Sequence, residues 1–147
     1  MTSPQITPYL CFKDTGRAIA FYAKAFGAKE QYRLAEPSGR VGHAEIRIGD
    51  ALLMLSDEYP DFGALSVQAV GGCPVTLHIY VADSDSVVDQ AVKAGATLLR
   101  AVKDEFYGDR TGQIADPFGY KWMIATRKET VTPQQMQERW SKMLSGS

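Results

Sequence analysis

Polar and apolar residues alternate along the chain in short runs that break at the same kinds of turn in each half. Residues 6–12 read as a first strand, and residues 15–26 as a helix with Ala18, Ile19, Tyr22, Ala25 and Phe26 on one face. Asp14 or Thr15 caps that helix and Gly27 ends it. Strands follow at about 28–35, 41–48 and 51–56, with turns at Glu36-Pro37-Ser38-Gly39 and Gly49-Asp50. After an irregular stretch, the order restarts with a strand at 75–81. A helix follows, capped by Ser84 or Asp85, carrying Val88, Ala91 and Val92, and stopped by Gly95. A strand at 97–102 leads into a hairpin across residues 106–126. In that hairpin Pro117 fixes φ and Gly119 supplies a positive φ, so Asp116-Pro117-Phe118-Gly119 is a tight turn. A last helix at about 132–145 opens on Thr132-Pro133-Gln134-Gln135, a capping-box pattern. It carries an apolar stripe of Met136, Trp140, Met143 and Leu144, expected to pack on the protein's own sheet or on a partner subunit.

The two halves echo each other. RVGHAEIRIGDALLML from residue 40 sets Arg40, Gly42 and Gly49 against Arg110, Gly112 and Gly119 of RTGQIADPFGYKWMI. KAFGAK at 24–29 matches KAGAT at 93–97. Such self-similarity marks a duplicated unit, here βαβββ twice. The expected organisation is a first module at about 5–57, a linker or lid at 58–74, a second module at about 75–127, and the tail helix. The fold class is α+β.

Composition changes this picture little. Lys+Arg number 16 and Asp+Glu 17, for a net charge of −1, so no basic excess points to nucleic acid. No apolar run approaches the roughly 18 residues of a membrane-spanning helix, and the first ten residues lack the pattern of a secretory signal. The two cysteines, Cys11 and Cys73, fit reduced thiols in a cytoplasmic protein.

With Phe21-Tyr22 late in the first helix and DPFG before the last strand, the doubled βαβββ unit resembles the vicinal oxygen chelate superfamily, which includes glyoxalases, bleomycin-resistance proteins and dioxygenases. Three stretches resemble its PhnB-like branch: GHAEIRIGDALLMLSDE at 42–58, GGCPVTLHIYVAD at 71–83, and FYGDRTGQIADPFGYKW at 106–122. The resemblance implies a cup-shaped mixed sheet, helices on its outer face, a ligand in the cup, and often a homodimer that completes it. The superfamily's metal-ligand positions, carried onto this chain, are Thr7, Met54, Thr76 and Met123. Thioethers and neutral hydroxyls are poor ligands for Zn²⁺, Ni²⁺, Mn²⁺ or Fe²⁺.

The alternation places Thr7, Tyr9, Cys11, His43, Glu45, Arg47, Leu52, Met54, Ser56, Thr76, His78, Tyr80, Lys121 and Met123 toward the cup. His43, Glu45 and His78 could form a displaced metal site, bind a ligand by hydrogen bonds, or belong to a structural network. Glu45 would act as a general base only with a raised pKa. Arg110 either clamps an anion or pairs with Asp109 or Asp116. Phe106, Tyr107 and Tyr80 line an apolar pocket or the core. Cys11 reads as a small buried hydrophobe rather than a nucleophile.

The leading expectation is a metal-independent small-molecule-binding protein without a cofactor. It is expected to be cytoplasmic and homodimeric, with no nucleic-acid or membrane partner. Its ligand lies near Tyr9, His43, Glu45, Met54, Thr76, His78, Tyr80, Phe106, Arg110 and Met123. A lyase, transferase or dioxygenase using His43, Glu45 and His78 is the alternative, and an interaction module that has lost its ligand is a third.

Overall fold

The structure, a computed structural model, describes residues 3–146. In chain order it runs β1 Tyr9–Phe12, α1 Thr15–Phe26, β2 Lys29–Ala35, β3 Val41–Ile48 and β4 Ala51–Asp57. A 3-10 turn Pro60–Phe62 and a short helix α2 Val67–Val70 follow. Then come β5 Thr76–Tyr80, α3 Ser84–Ala94, β6 Thr97–Asp104, β7 Asp109–Ala115, β8 Lys121–Arg127 and α4 Pro133–Leu144. Among the described residues no helix is long and apolar enough to cross a membrane.

The duplicated βαβββ order is as expected, but the sheet is not continuous. The strands form two separate four-stranded sheets, β1-β4-β3-β2 and β5-β8-β7-β6. Each is mixed, with one parallel pair (β1 with β4, β5 with β8) and antiparallel ladders elsewhere. Residues 6–8, expected in the first strand, precede it. Pro8 has no N–H to give the ladder, although its carbonyl accepts from Met54 N–H at 3.0 Å.

Each sheet buries one face against its helix. The core gathers Leu10, Phe12, Ala44, Ile46, Leu53 and Leu55 of the first module with Ile114, Trp122 and Ile124 of the second. Asp14 caps α1 through Arg17 N–H, and Gly27 ends it at φ 71°. The cap of α3 is Asp83 rather than Ser84 or Asp85. Asp83 is extended and accepts from Ser86 N–H. Ser84 is freed to donate its hydroxyl to the Arg110 carbonyl at 2.8 Å.

The modules meet at the DPFG turn. The carboxylate of Asp116, 4% exposed, accepts from the Phe118 and Tyr120 N–H groups, from the Trp122 indole at 3.0 Å, and from the Tyr22 hydroxyl of α1 at 2.5 Å. Tyr120 reaches the other way. Its hydroxyl accepts from Cys11 N–H and donates to Cys11 C=O, both at 3.0 Å. Phe12, Phe21 and Phe118 pack edge-on around the joint. Burying aromatic side chains of this size contributes about 2–3 kcal/mol each.

The stretch at 58–74 is structured. Glu58 accepts from both the N–H and the hydroxyl of Ser66, and Val67 seats on the DPFG turn. A Cβ at Gly119 would lie 2.5 Å from the Val67 side chain. The tail helix has its capping box, but its stripe does not pack on the protein's own sheets. Trp140, Met143 and Leu144 are exposed. Arg139 anchors the helix through the Phe106 carbonyl and Glu129.

Candidate functional site

The open face of the first sheet carries a continuous hydrogen-bonded chain. Strand register lines up Tyr9, Met54, Glu45 and Tyr32 across β1, β4, β3 and β2. His43 lies two residues from Glu45 on the same face. The Tyr9 hydroxyl is 2.6 Å from His43 Nδ1, and His43 Nε2 is 3.0 Å from Glu45 Oε2. Tyr32 donates its hydroxyl to the same Oε2 at 2.9 Å. His43 supplies the strongest pull holding the Glu45 carboxyl below its usual range, and Tyr32 adds to it. The bond to Glu45 in turn raises the Tyr32 phenol. Glu45 is thus an ionised acceptor and lacks the raised pKa that a general base would need.

Beside this chain opens a cleft of about 670 Å³, lined by Tyr9, Cys11, Gly42, Ser56, Tyr59, Phe62, Leu65 and Tyr120. The structured linker forms its outer wall. Tyr59 donates to Glu36 at 2.6 Å under the Arg40 guanidinium. Burial pushes the Cys11 thiol up, and its Sγ lies 3.6 Å from the Asp57 carbonyl, so it is not an activated nucleophile.

The second sheet is arranged differently. His78, Met123, Gln113 and Arg100 share a row, and the His78 ring lies 4.9 Å from the Tyr80 ring. Tyr80 donates to the buried carboxylate of Asp109 at 2.6 Å. Arg127 binds both, at 2.8 Å each. His43, Glu45 and His78 therefore do not form a single set. They lie on two sheets, and among the described residues no group of three or more His, Cys, Asp or Glu side chains is placed to hold a metal. Thr7, Leu52 and His78 do line a common hollow of about 530 Å³ with Leu77, Ile79 and Trp122.

Two further expected positions sit elsewhere. Arg110 pairs with neither Asp109 nor Asp116. It forks onto Asp85 at the start of α3, at 2.7 and 3.1 Å, and reaches Asp104 at 3.2 Å. Phe106 lines a hollow with Arg139, Lys142 and Met143 of α4, away from the other candidates. Sequence reasoning did not single out Tyr32 and Tyr59, and assigned Asp109 and Arg127 no part beside Tyr80. Tyr32 could have been found by extending the alternation into β2, where Tyr32 and Leu34 face the same way as His43.

The sequence profile of the Glyoxalase/Bleomycin resistance protein/Dioxygenase superfamily matches residues 4–124, both modules and the linker between them. The chain belongs to that superfamily. The uncharacterized protein Rv0887c of Mycobacterium tuberculosis is 37% identical over 146 residues, covering 97% of this chain and 86% of its own length. The solved gene product At5g48480 of Arabidopsis thaliana superposes with a TM-score of 0.67 at 27% identity, covering 84% of this chain and 99% of that one. The fosfomycin resistance protein FosX from Listeria monocytogenes, solved with Mn(II) and 1S,2S-dihydroxypropylphosphonic acid, superposes with a TM-score of 0.65 at 15% identity. It covers 95% of this chain and 99% of its own, and shares the fold alone.

The superfamily's metal-ligand positions do not suit a divalent cation in this member. Met54 stands between Tyr9 and Glu45, and Met123 between His78 and Gln113. Thr76 is paired in register with Lys121, whose ammonium would repel a cation. Two thioethers and two neutral hydroxyls supply no charge to offset this.

Proposed function

We propose that this protein is a metal-independent small-molecule-binding protein of the glyoxalase/bleomycin-resistance type, with its ligand on the open face of the first module. The observation that carries this reading is the cleft of about 670 Å³ whose floor begins at Tyr9, the end of the Tyr9–His43–Glu45–Tyr32 chain. A concave hollow lined by aromatic and apolar side chains beside a few fixed polar groups is the usual build of a small-molecule site. The poor donor set at Thr7, Met54, Thr76 and Met123 supports binding without a metal.

We place the chain in the PhnB-like branch on the three stretches quoted above, and read it as a cytoplasmic homodimer. The dimer reading is supported by the two open sheet faces, where Tyr9, Tyr32, Leu34 and Tyr80 remain exposed. A second copy would cover part of this surface.

The test is a thermal-shift screen of small organic molecules alongside Zn²⁺, Ni²⁺, Mn²⁺ and Fe²⁺, repeated on Tyr59→Ala and Phe62→Ala. Stabilisation by organic ligands that is lost in these cleft variants is expected. Stabilisation by a metal that disappears in Met54→Ala or Met123→Ala would overturn the reading.

A further inference from the structure

We propose that the cleft selects planar molecules bearing an acidic hydroxyl, a phenol or an enol, and binds them as the anion by passing the hydroxyl proton through Tyr9 to His43. This rests on the reading that the first module's cleft is the ligand site. Four aromatic rings, Tyr9, Tyr59, Phe62 and Tyr120, line the cleft and suit a flat ligand. Most polar groups there are already committed. The Tyr120 hydroxyl both accepts from and donates to the Cys11 backbone, Tyr59 donates to Glu36, and the Cys11 thiol faces the Asp57 carbonyl. The Tyr9 oxygen is different. With the His43 Nε2–H on the ionised Glu45 carboxylate, Nδ1 is the acceptor, so the Tyr9 proton points to His43; this leaves the oxygen's lone pairs for a ligand donor, and the residue is 53% exposed.

The proton balance is simple. A ligand hydroxyl donates to the Tyr9 oxygen. The ligand O–H bond breaks as a new O–H forms on Tyr9, and the former Tyr9 proton crosses the existing 2.6 Å O···N hydrogen bond to His43 Nδ1. The products are a ligand oxyanion held by a neutral tyrosine, and an imidazolium whose Nε2–H remains on Glu45. No redox step or covalent intermediate is involved.

The charges facing His43 favour this state. β1 contributes Tyr9, β2 contributes Tyr32, and β3 contributes Glu45 and, beyond it, Arg47. β4 contributes uncharged Met54. Glu36 and Arg40 at the rim already neutralise each other. Among the described residues Glu45 is therefore the anion bonded to the imidazolium, and its ionised form is the one the structure favours.

The test uses the full chain and two probes, 4-nitrophenol and its methyl ether 4-nitroanisole, below the pH at which free nitrophenol ionises. Wild type is expected to bind nitrophenol with growth of the phenolate absorption band, at least about tenfold more tightly than the ether, equivalent to one unit in the ligand's apparent pKa. Tyr9→Phe and His43→Gln, checked for folding by circular dichroism, are expected to lose the phenolate band. Nitrophenol bound in its neutral form by wild type, or a band unchanged in both variants, would overturn the proposal while leaving the binding reading intact. Binding of neither probe would overturn both.

Discussion

Asp116→Asn tests how the two modules are held together. The wild-type carboxylate faces four donors, and Asn keeps an oxygen for the Phe118 and Tyr120 N–H groups. Its amide nitrogen then replaces the oxygen that meets Tyr22 and Trp122. The Tyr22 hydroxyl can rotate and accept, but the indole N–H is a donor only and is left unpaired in a buried site. One such orphan costs about 1–3 kcal/mol. For a chain of this length a loss of about 2 kcal/mol lowers Tm by about 4–8 °C. Urea and thermal unfolding measure this, and a cycle with Trp122→Phe should return a coupling of about 1–2 kcal/mol. The pH dependence has a definite sign. Burial lifts the Asp116 carboxyl above its ordinary value, so the folded state binds that proton more readily than the unfolded chain. This contribution is present below the unfolded pKa and is lost as pH rises through the folded one. Wild type should therefore lose stability relative to Asp116→Asn across that acidic window. An Asn variant as stable as wild type, with no coupling to Trp122, would refute the clamp.

Other outcomes follow from neighbouring features. Gly119→Ala should destabilise by about 1–3 kcal/mol in urea unfolding, because φ is 97° and the new methyl meets Val67. Cys11 should react with a thiol reagent more slowly at neutral pH than a free cysteine, since burial raises its pKa. Arg110→Ala should leave ligand binding unchanged, because its guanidinium is engaged by Asp85 and Asp104; a large loss of affinity would return it to the site. Arg139→Ala should expose the α4 segment to limited proteolysis while leaving the main unfolding transition in place.

What could be read from the residues was mostly local. Alternation identified the strands and their open faces, and glycine and capping residues located the three long helices, α1, α3 and α4, to within a residue or two. Contacts between distant segments could not be read. DPFG was legible as a turn, but its role as the clamp between modules depends on Tyr22, far back in α1. Arg110 was read as an anion clamp or as a partner of Asp109 or Asp116, and instead bonds to Asp85, brought over by α3, and to Asp104. His43 and Glu45 were correctly placed on one face because a single strand fixes them. His78 could not be related to them, since no ladder joins the two sheets. The tail helix showed its cap and its stripe, but a stripe does not say what it faces.

The duplication explains why the two halves should not share one function. In the first module the row Tyr9–Met54–Glu45–Tyr32 ends on a phenol at the edge of a cleft. In the second the corresponding row is His78–Met123–Gln113–Arg100. Tyr80, at the position of Cys11, is tied down by a buried aspartate and an arginine. Asp109 is 2% exposed, so removing either partner would strand a charge there. That network is suited to holding β5 and β8 in place, not to exchanging partners with a ligand. The Tyr9 hydroxyl, exposed and bonded on one side only, can gain a partner without losing one. Ligand chemistry is therefore expected to follow substitutions at Tyr9 and His43, and the second module to respond to Asp109→Asn mainly in stability.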